Sequence, residues 1–363
     1  MNVPKKPTFL GRIVQHTHIL AGVFLLVCFG LLAFLFYVQK IKNYDINLLS
    51  PVGVRKIILS RDPFYEKVLH SRTIDHFPPN RYFPLHLIPR FTLTKDLPAW
   101  GYAVMDRDTR ELLYGKNLTG RLPLASLAKV MTSIVAIEKA PFDLLTTVSL
   151  SAAQVGEASM GLSSGEKVTI EELLYGSMLP SGNDASEVLS ESVGKYMLGI
   201  GQEVTDGGVA RKTFLNSMNE KAQALGMFDT YFFNPTGLDE EEKEKSSFST
   251  VLDLLALTNY ALGNETFAKI VETSFVQFPY KDGYHKAFYL QNILSLSQAF
   301  DGIKGVKPGN SIFAKETLIS YIERDGRRLI TVILGSNHTR DDVLTIYKQI
   351  FPESASKAKI VKK

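Results

Sequence analysis

Ser126 and Lys129 stand three residues apart in Pro123-Leu124-Ala125-Ser126-Leu127-Ala128-Lys129-Val130-Met131-Thr132. A serine hydroxyl is a weak nucleophile until a base takes its proton. At helical spacing, residues three apart share a face, so the Lys129 side chain can reach back to the Ser126 oxygen. Leu127, Ala128, Val130, Met131 and Ile134 predict that this helix is buried. Burial disfavours the charged form of a lysine, which lowers its pKa and suits it to act as a base near neutral pH. Taken alone, Ser-x-x-Lys is a common helix start with a solvated lysine, so the reading depends on its company.

The elements around this pair follow from composition and periodicity. Ala99 to Asn117 places apolar runs on both sides of Asp106-Arg107-Asp108-Thr109, a β-hairpin pattern. Thr146 to Leu150 reads as a strand and Val168 to Met178 as a helix. Leu179-Pro180-Ser181-Gly182-Asn183-Asp184 reads as a loop opening into a helix that runs to Val193. Asp184 suits an N-terminal cap or dipole partner better than a catalyst. An amphipathic helix is expected over Thr213 to Leu225, a turn at Asn234-Pro235-Thr236-Gly237, an exposed loop at Glu240 to Lys245, and a helix over Ser249 to Leu262. Leu318 to Arg324 and Arg328 to Gly335 alternate like strands about a turn at Asp325-Gly326, and a helix over Asp341 to Phe351 closes the domain. Strands at both ends with helices between them predict an α+β fold whose terminal strands share one antiparallel sheet.

Three stretches then line up in order: Ser126-x-x-Lys129, Ser181-Gly182-Asn183, and a lysine-glycine stretch from Asp301 to Gly309. This ordered set resembles the S-x-x-K, S-D-N and K-T-G motifs of penicillin-binding proteins and class A β-lactamases. LLYGSMLPSGNDAS, MNEKAQALGM, FFNPTGLD and RDGRRLITVILGS resemble the low-molecular-weight D-alanyl-D-alanine carboxypeptidases of the peptidase S11 family. The resemblance runs from about Pro98 to the closing helix. It implies a serine β-lactamase/transpeptidase-like fold, with an antiparallel sheet flanked by helices and a helical subdomain. The extra C-terminal β-rich domain of some members is expected to be absent.

The resemblance also implies roles. Ser126 would attack the carbonyl between the two D-alanines of a peptidoglycan stem peptide, and Lys129 would accept its proton. Ser181 would relay a proton to the departing D-Ala, and Asn183 would bond the Lys129 side and the substrate amide. The N–H groups of Ser126 and Asn310 would receive the oxyanion. β-Lactams would act as inhibitors, and no cofactor or metal is implied. In the third stretch two registers compete. Lys304-Gly305-Val306 lacks the Lys-x-Gly order, and Lys304 reads as a solvated strand lysine. Lys307-Pro308-Gly309 has that order, so Lys307, Gly309 and Asn310 are the expected substrate-binding residues. The family's hydroxyl is replaced by Pro308, which leaves substrate carboxylate recognition open. Pro308 also lacks an N–H, so its strand must lie at a sheet edge.

Residues 19–38 form an uncharged apolar run, about the 20 residues that cross a bilayer as a helix. No small-x-small cleavage site follows, so it reads as a retained signal-anchor. The expected organisation is a cytoplasmic tail at 1–18, one transmembrane helix at 19–38, a proline-rich extracytoplasmic linker at 39–97, a catalytic domain at 98–352 and a basic tail at 353–363. The linker's Phe77, Tyr82, Phe83, Leu85, Leu87, Ile88 and Phe91 suit a strap packed along the domain. Lys5, Lys6 and Arg12 before the span nearly balance Lys40 and Lys42 after it, so orientation comes from the wall substrate that the resemblance implies. A net charge of +4 is too mild to argue for nucleic acid, and the lone Cys28 excludes an intrachain disulfide. The seven histidines show no metal-ligand spacing. The same residues also admit two other readings: a β-lactamase, for which no deacylating Glu-x-x-Leu-Asn stretch stands between the second and third motifs, and a wall-binding homologue without turnover.

Overall fold

The computed structural model describes residues 81–203, 207–294, 296 and 299–352. The expected tail and membrane span, the linker up to residue 80 and the basic tail lie outside the described residues. Among the described residues no helix is long and apolar enough to cross a membrane.

The domain opens with the hairpin of β1 (Gly101–Asp106) and β2 (Leu112–Lys116). Asp106 closes its turn by accepting hydrogen bonds from the Asp108 and Thr109 N–H groups, both at 3.1 Å. Next come β3 (Leu122–Pro123), a 3-10 turn (Ala125–Leu127) and α1 (Ala128–Lys139). The helical part continues with β4 (Leu145–Thr147), α2 (Leu150–Ala153), β5 (Lys167–Thr169), α3 (Ile170–Met178), α4 (Asn183–Leu198) and α5 (Gly208–Ala224). After β6 (Phe248–Ser249) follow α6 (Val251–Ala261), α7 (Glu265–Glu272) and the hairpin of β7 (Phe275–Phe278) and β8 (Phe288–Gln291). The chain then returns as β9 (Ile303–Ser311), β10 (Lys315–Arg324), β11 (Arg327–Ser336) and α8 (Thr339–Ile350).

The terminal strands do share one sheet, antiparallel throughout, in the order β2-β1-β11-β10-β9. Its strands are apolar on both sides because both faces are covered. Ala103, Met105, Ile319, Tyr321, Ile330, Val332 and Leu334 join the core shared with the helices. The alternate residues Tyr102, Val104, Leu318, Ile322, Leu329 and Ile333 join a second core with Val343, Ile346 and Tyr347 of α8. Tyr347 is fully buried and donates to Ser320 Oγ at 3.0 Å, and burial pushes its phenol up to about 12. Helix α1 is buried from Ala128 to Ala136, on every side, which suits the central helix of the α part.

Several boundaries differ from the sequence expectation for local reasons. The helix expected from Val168 begins at Ile170, because Thr169 caps it in a capping box with Glu172. Val168 instead pairs with Thr146 in the short ladder of β4 and β5. Helix α4 runs past Val193 to Leu198, where Gly199 at φ 65 ends it. Helix α5 starts five residues before Thr213, at Gly208. Helix α7 and the β7–β8 hairpin were not legible in the sequence. Asn264 caps α7 by accepting from the Phe267 N–H at 3.0 Å.

From residue 81 onward the linker is a strap along the outer edge of β2. Arg90 and Phe91 donate main-chain hydrogen bonds to Leu112 and Leu113, each at 2.9 Å. This covers an edge that would otherwise expose unpaired backbone groups. Phe83, Leu93 and Leu97 are buried, whereas Leu85, Ile88 and Phe91 face solvent. Phe83 belongs to the helical core, so Phe83→Ala is expected to cost about 3–5 kcal/mol of stability. Urea denaturation would measure this. An unchanged midpoint would mean that the strap is not part of the folded unit.

Candidate active site

Ser126 lies in the 3-10 turn before α1, not within the helix itself. Side chains at i and i+3 eclipse in such a turn, so the spacing still works. Lys129 Nζ lies 3.0 Å from Ser126 Oγ. Ala125, just before the serine, adopts φ 47. A non-glycine residue held there is strained, and such turns persist where the surroundings over-determine them. One constraint is Gly237 at φ 78, where a Cβ would lie 1.8 Å from the Ala125 carbonyl oxygen. Another is β9, where a Cβ on Gly309 would lie 3.0 Å from Ser126 N and 2.6 Å from Thr317 Oγ1. Glycine at both positions lets the backbone close around the serine.

Lys129 is fully buried. Its Nζ donates to Ser126 Oγ, to Asn183 Oδ1 at 2.8 Å and to the Thr236 carbonyl at 2.8 Å. All three acceptors are neutral. Burial lowers its pKa to about 7, against the weaker upward pull of Glu157, Glu187 and Asp184. Lys307 is equally buried, and its Nζ donates to the Pro308 carbonyl at 3.0 Å. Burial, and secondarily the charge of Lys129, hold its pKa well below the usual lysine range.

The second motif is built at the start of α4. Ser181 is buried at φ 65, and it is not among the hydrogen-bond partners of Lys129. Asn183 turns its oxygen to Lys129 and donates from Nδ2 to the Gly156 carbonyl at 2.9 Å. Asp184 is not the cap expected from sequence; Gly182 holds that position with no side-chain cap. The Asp184 carboxylate, one residue inside the helix, accepts from Met160 N at 2.8 Å, Gly161 N at 3.0 Å and Leu162 N at 2.9 Å. It also accepts from Ser159 Oγ at 2.6 Å. The demand for acceptors comes from this neighbouring loop, whose Gly156 carbonyl also holds Asn183. As an acid in the first turn, Asp184 still complements the helix dipole.

In the third stretch the two lysines separate clearly. Lys304 pairs at the surface with Glu272 at 2.9 Å and Glu323 at 3.5 Å. Lys307 points into the buried site. Pro308 sits opposite Leu318 on β9, an edge strand of the five-stranded sheet. Its missing N–H therefore costs no ladder bond. Backbone direction alternates along a strand, so the Asn310 N–H faces the same open edge as the proline nitrogen. That edge adjoins the Ser126 turn.

The Asn234–Gly237 turn was visible in the sequence, but its contact with Lys129 was not. Asn234 Oδ1 accepts from Thr236 Oγ1 at 2.9 Å and Gly237 N at 2.7 Å, which folds the turn. Thr132 of α1 donates to the Pro235 carbonyl at 2.6 Å and ties the turn to the central helix. The Thr236 carbonyl is thereby aimed at Lys129. The Gly156–Leu162 loop was missed for the same reason, because main-chain contacts carry no residue signature.

The assembled groups suit nucleophilic acyl substitution: a hydroxyl and, 3.0 Å from it, an amine poised near neutrality. Only neutral Lys129 can take the Ser126 proton. Its neutral fraction grows as pH rises through about 7. Acylation of Ser126 by a small activated ester is thus expected to rise with pH through that midpoint and then level off. Intact-mass kinetics would show it, and a rate flat from about pH 5 to about pH 9 would remove Lys129 as the base.

The model of Peptidase_S11, D-alanyl-D-alanine carboxypeptidase, matches residues 91–338. The D-alanyl-D-alanine carboxypeptidase DacF of Bacillus subtilis is 31% identical over 252 residues, which cover 68% of this chain and 60% of that protein. DacB2 of Mycobacterium tuberculosis is 32% identical over 239 residues, 66% of this chain and 75% of its own length. Among solved structures, a D-alanyl-D-alanine carboxypeptidase from M. tuberculosis superposes with a TM-score of 0.63 at 27% identity, covering 74% of this chain and 97% of that one. The Streptomyces K15 DD-transpeptidase gives 0.62 at 26% identity, over 70% of this chain and 98% of that one. The match across two thirds of its length and the shared fold make this chain a member of the D-alanyl-D-alanine carboxypeptidase family, Peptidase_S11.

Proposed function

We propose that this protein is a membrane-anchored serine carboxypeptidase that removes the terminal D-alanine from peptidoglycan stem peptides. The observation that carries the reading is the contact of buried Lys129 with Ser126, at 3.0 Å, with the lysine poised near neutrality. Lys129 takes the Ser126 proton as Oγ attacks the carbonyl of the penultimate D-Ala. The oxyanion is received by the N–H groups of Ser126 and Asn310. The C–N bond then breaks, and the proton passes from Lys129 through the Ser181 hydroxyl to the departing amine. Water cleaves the resulting ester by the reverse proton path and frees Ser126. Asn183 holds Lys129 and binds the substrate amide, while the arriving terminal carboxylate favours the charged form of Lys307 against its burial, and that ammonium then holds the carboxylate. The apolar run at 19–38 anchors the chain in the cell membrane, with the domain on the wall side. β-Lactams acylate Ser126 as substrate mimics.

Labelling with a fluorescent penicillin, followed by intact mass, tests this reading on the full-length chain alongside D-Ala release from a peptide ending in D-Ala-D-Ala. An adduct present in wild type and lost in Ser126→Ala, together with D-Ala release, is the expected result. Rapid lactam turnover without D-Ala release would favour a β-lactamase. No adduct on folded protein would leave a wall-binding role.

The third motif generates a separate expectation. Pro308→Thr restores a hydroxyl where the family pattern has one. A hydrogen bond to a charged carboxylate contributes about 1.5–3 kcal/mol. D-Ala release by Pro308→Thr is expected to gain roughly ten- to a hundredfold in kcat/KM, with penicillin labelling retained. An unchanged rate would mean that another group already binds the carboxylate.

A further inference from the structure

The turn that holds Lys129 continues into Asp239, and Asp239 reaches the opposite wall of the site. Its Oδ1 accepts from Ser311 Oγ at 2.9 Å, and its Oδ2 accepts from the Phe313 N–H at 2.8 Å. Ser311 Oγ in turn accepts from the Ala314 N–H at 3.1 Å. These bonds knit the connection between β9 and β10, whose tip, Ile312, is 91% exposed. The clamp begins one residue after Asn310.

Strand β9 needs such a clamp. It is an edge strand, held by β10 on one side only. Beyond Asn310 the ladder retains a single pair, Ser311 with Lys315. The place of the Asn310 N–H relative to Ser126 therefore depends on how the end of β9 is held. Catalysis is sensitive to this, since an error of about 1 Å costs on the order of a hundredfold in rate.

We propose that Asp239 is a positioning residue that fixes the oxyanion donor, and that the Asn234–Asp239 loop sets both halves of the machinery at once. Through the Thr236 carbonyl the loop holds the base, and through Asp239 it holds the strand end carrying the Asn310 N–H. The inference rests on the carboxypeptidase reading for its effect on rate, but the clamp itself is a property of the fold. A carboxylate suits the task because it offers two acceptor oxygens to two donors at once.

The test uses the full-length chain with Asp239→Ala, Ser311→Ala, the double variant and Asp239→Asn. Asp239→Ala is expected to lower penicillin acylation and kcat for D-Ala release by roughly ten- to a hundredfold, with little change in KM. Ser311→Ala is expected to lose less, because the Phe313 bond to Asp239 remains, and the double variant no more than Asp239→Ala, because Ser311 acts through its bond to Asp239. Asp239→Asn keeps one acceptor oxygen and is expected to recover part of the loss. The pH midpoint of acylation is expected to stay that of the wild type, since Asp239 is not among the charges that act on Lys129. Amide hydrogen exchange at Asn310 to Phe313 is expected to speed up in Asp239→Ala. Unchanged exchange, additive losses, a shifted pH midpoint, or a lower melting temperature with unchanged kcat would each overturn the proposal. A wild type that neither binds penicillin nor releases D-Ala would overturn the carboxypeptidase reading instead, and hydrogen exchange would still decide whether Asp239 holds the strand end.

Discussion

A lysine with no exposed surface, held by three neutral oxygens, is the constraint on which the site depends. Hydrogen bonds donated by Lys129 Nζ to Ser126 Oγ, Asn183 Oδ1 and the Thr236 carbonyl satisfy its geometry without cancelling a charge. A carboxylate in the same place would favour the ammonium and raise the pKa. Glu157, Glu187 and Asp184 act on it, yet none of them is among its hydrogen-bond partners, and burial prevails. The carboxylate closest in sequence to the motifs, Asp184, is turned away and occupied by the N–H groups of the Ser159–Leu162 loop. The bonds from that loop keep the Asp184 carboxylate out of hydrogen-bond contact with Lys129.

Each acceptor comes from a different part of the chain, and α1 is where they meet. The helix is buried on all sides, so it is surrounded by α3, α4, α5, α6 and α7. Helix α4 delivers Asn183 at its first turn. The turn after α5 delivers Thr236 and is tied back to α1 through Thr132. Two glycines allow these pieces to close on Ser126. Gly237 accommodates the Ala125 carbonyl, and Gly309 allows β9 to lie against the Ser126 turn. A side chain at either position would push apart groups that must lie within hydrogen-bond reach.

The sheet gives this cluster a rigid floor and one usable edge. Its two outer strands meet different needs. β2 is covered by the strap, which buries Phe83 in the helical core. Among the described residues β9 has no strand on its outer side, and it lies beside the serine. Pro308 is compatible with that openness. On the open edge it removes no ladder bond, whereas on β10 or β11 it would break the sheet.

Much of this was legible in the residues. Ser126 and Lys129 had to share a face because i,i+3 spacing brings them together in an α-helix and in the 3-10 turn alike. The absent N–H of Pro308 required an edge strand. The β1–β2 and β10–β11 hairpins followed from alternating apolar runs around Asp106–Thr109 and Asp325-Gly326. The α+β order followed from strands at the two ends of the domain. Other features belong to the tertiary structure alone. The Thr236 carbonyl and the Gly156–Leu162 loop act through main-chain atoms, which every residue carries, so their sequence gives no signal. Helix α7 and the β7–β8 hairpin are short and take their stability from neighbours. Asp184 reads as a cap or dipole partner; it does stand in the first turn, but the sequence does not show the loop that claims its oxygens in place of a cap. The depth of Lys129 is set by packing from segments distant in the chain, and that burial brings the pKa of an ordinary lysine down to about 7.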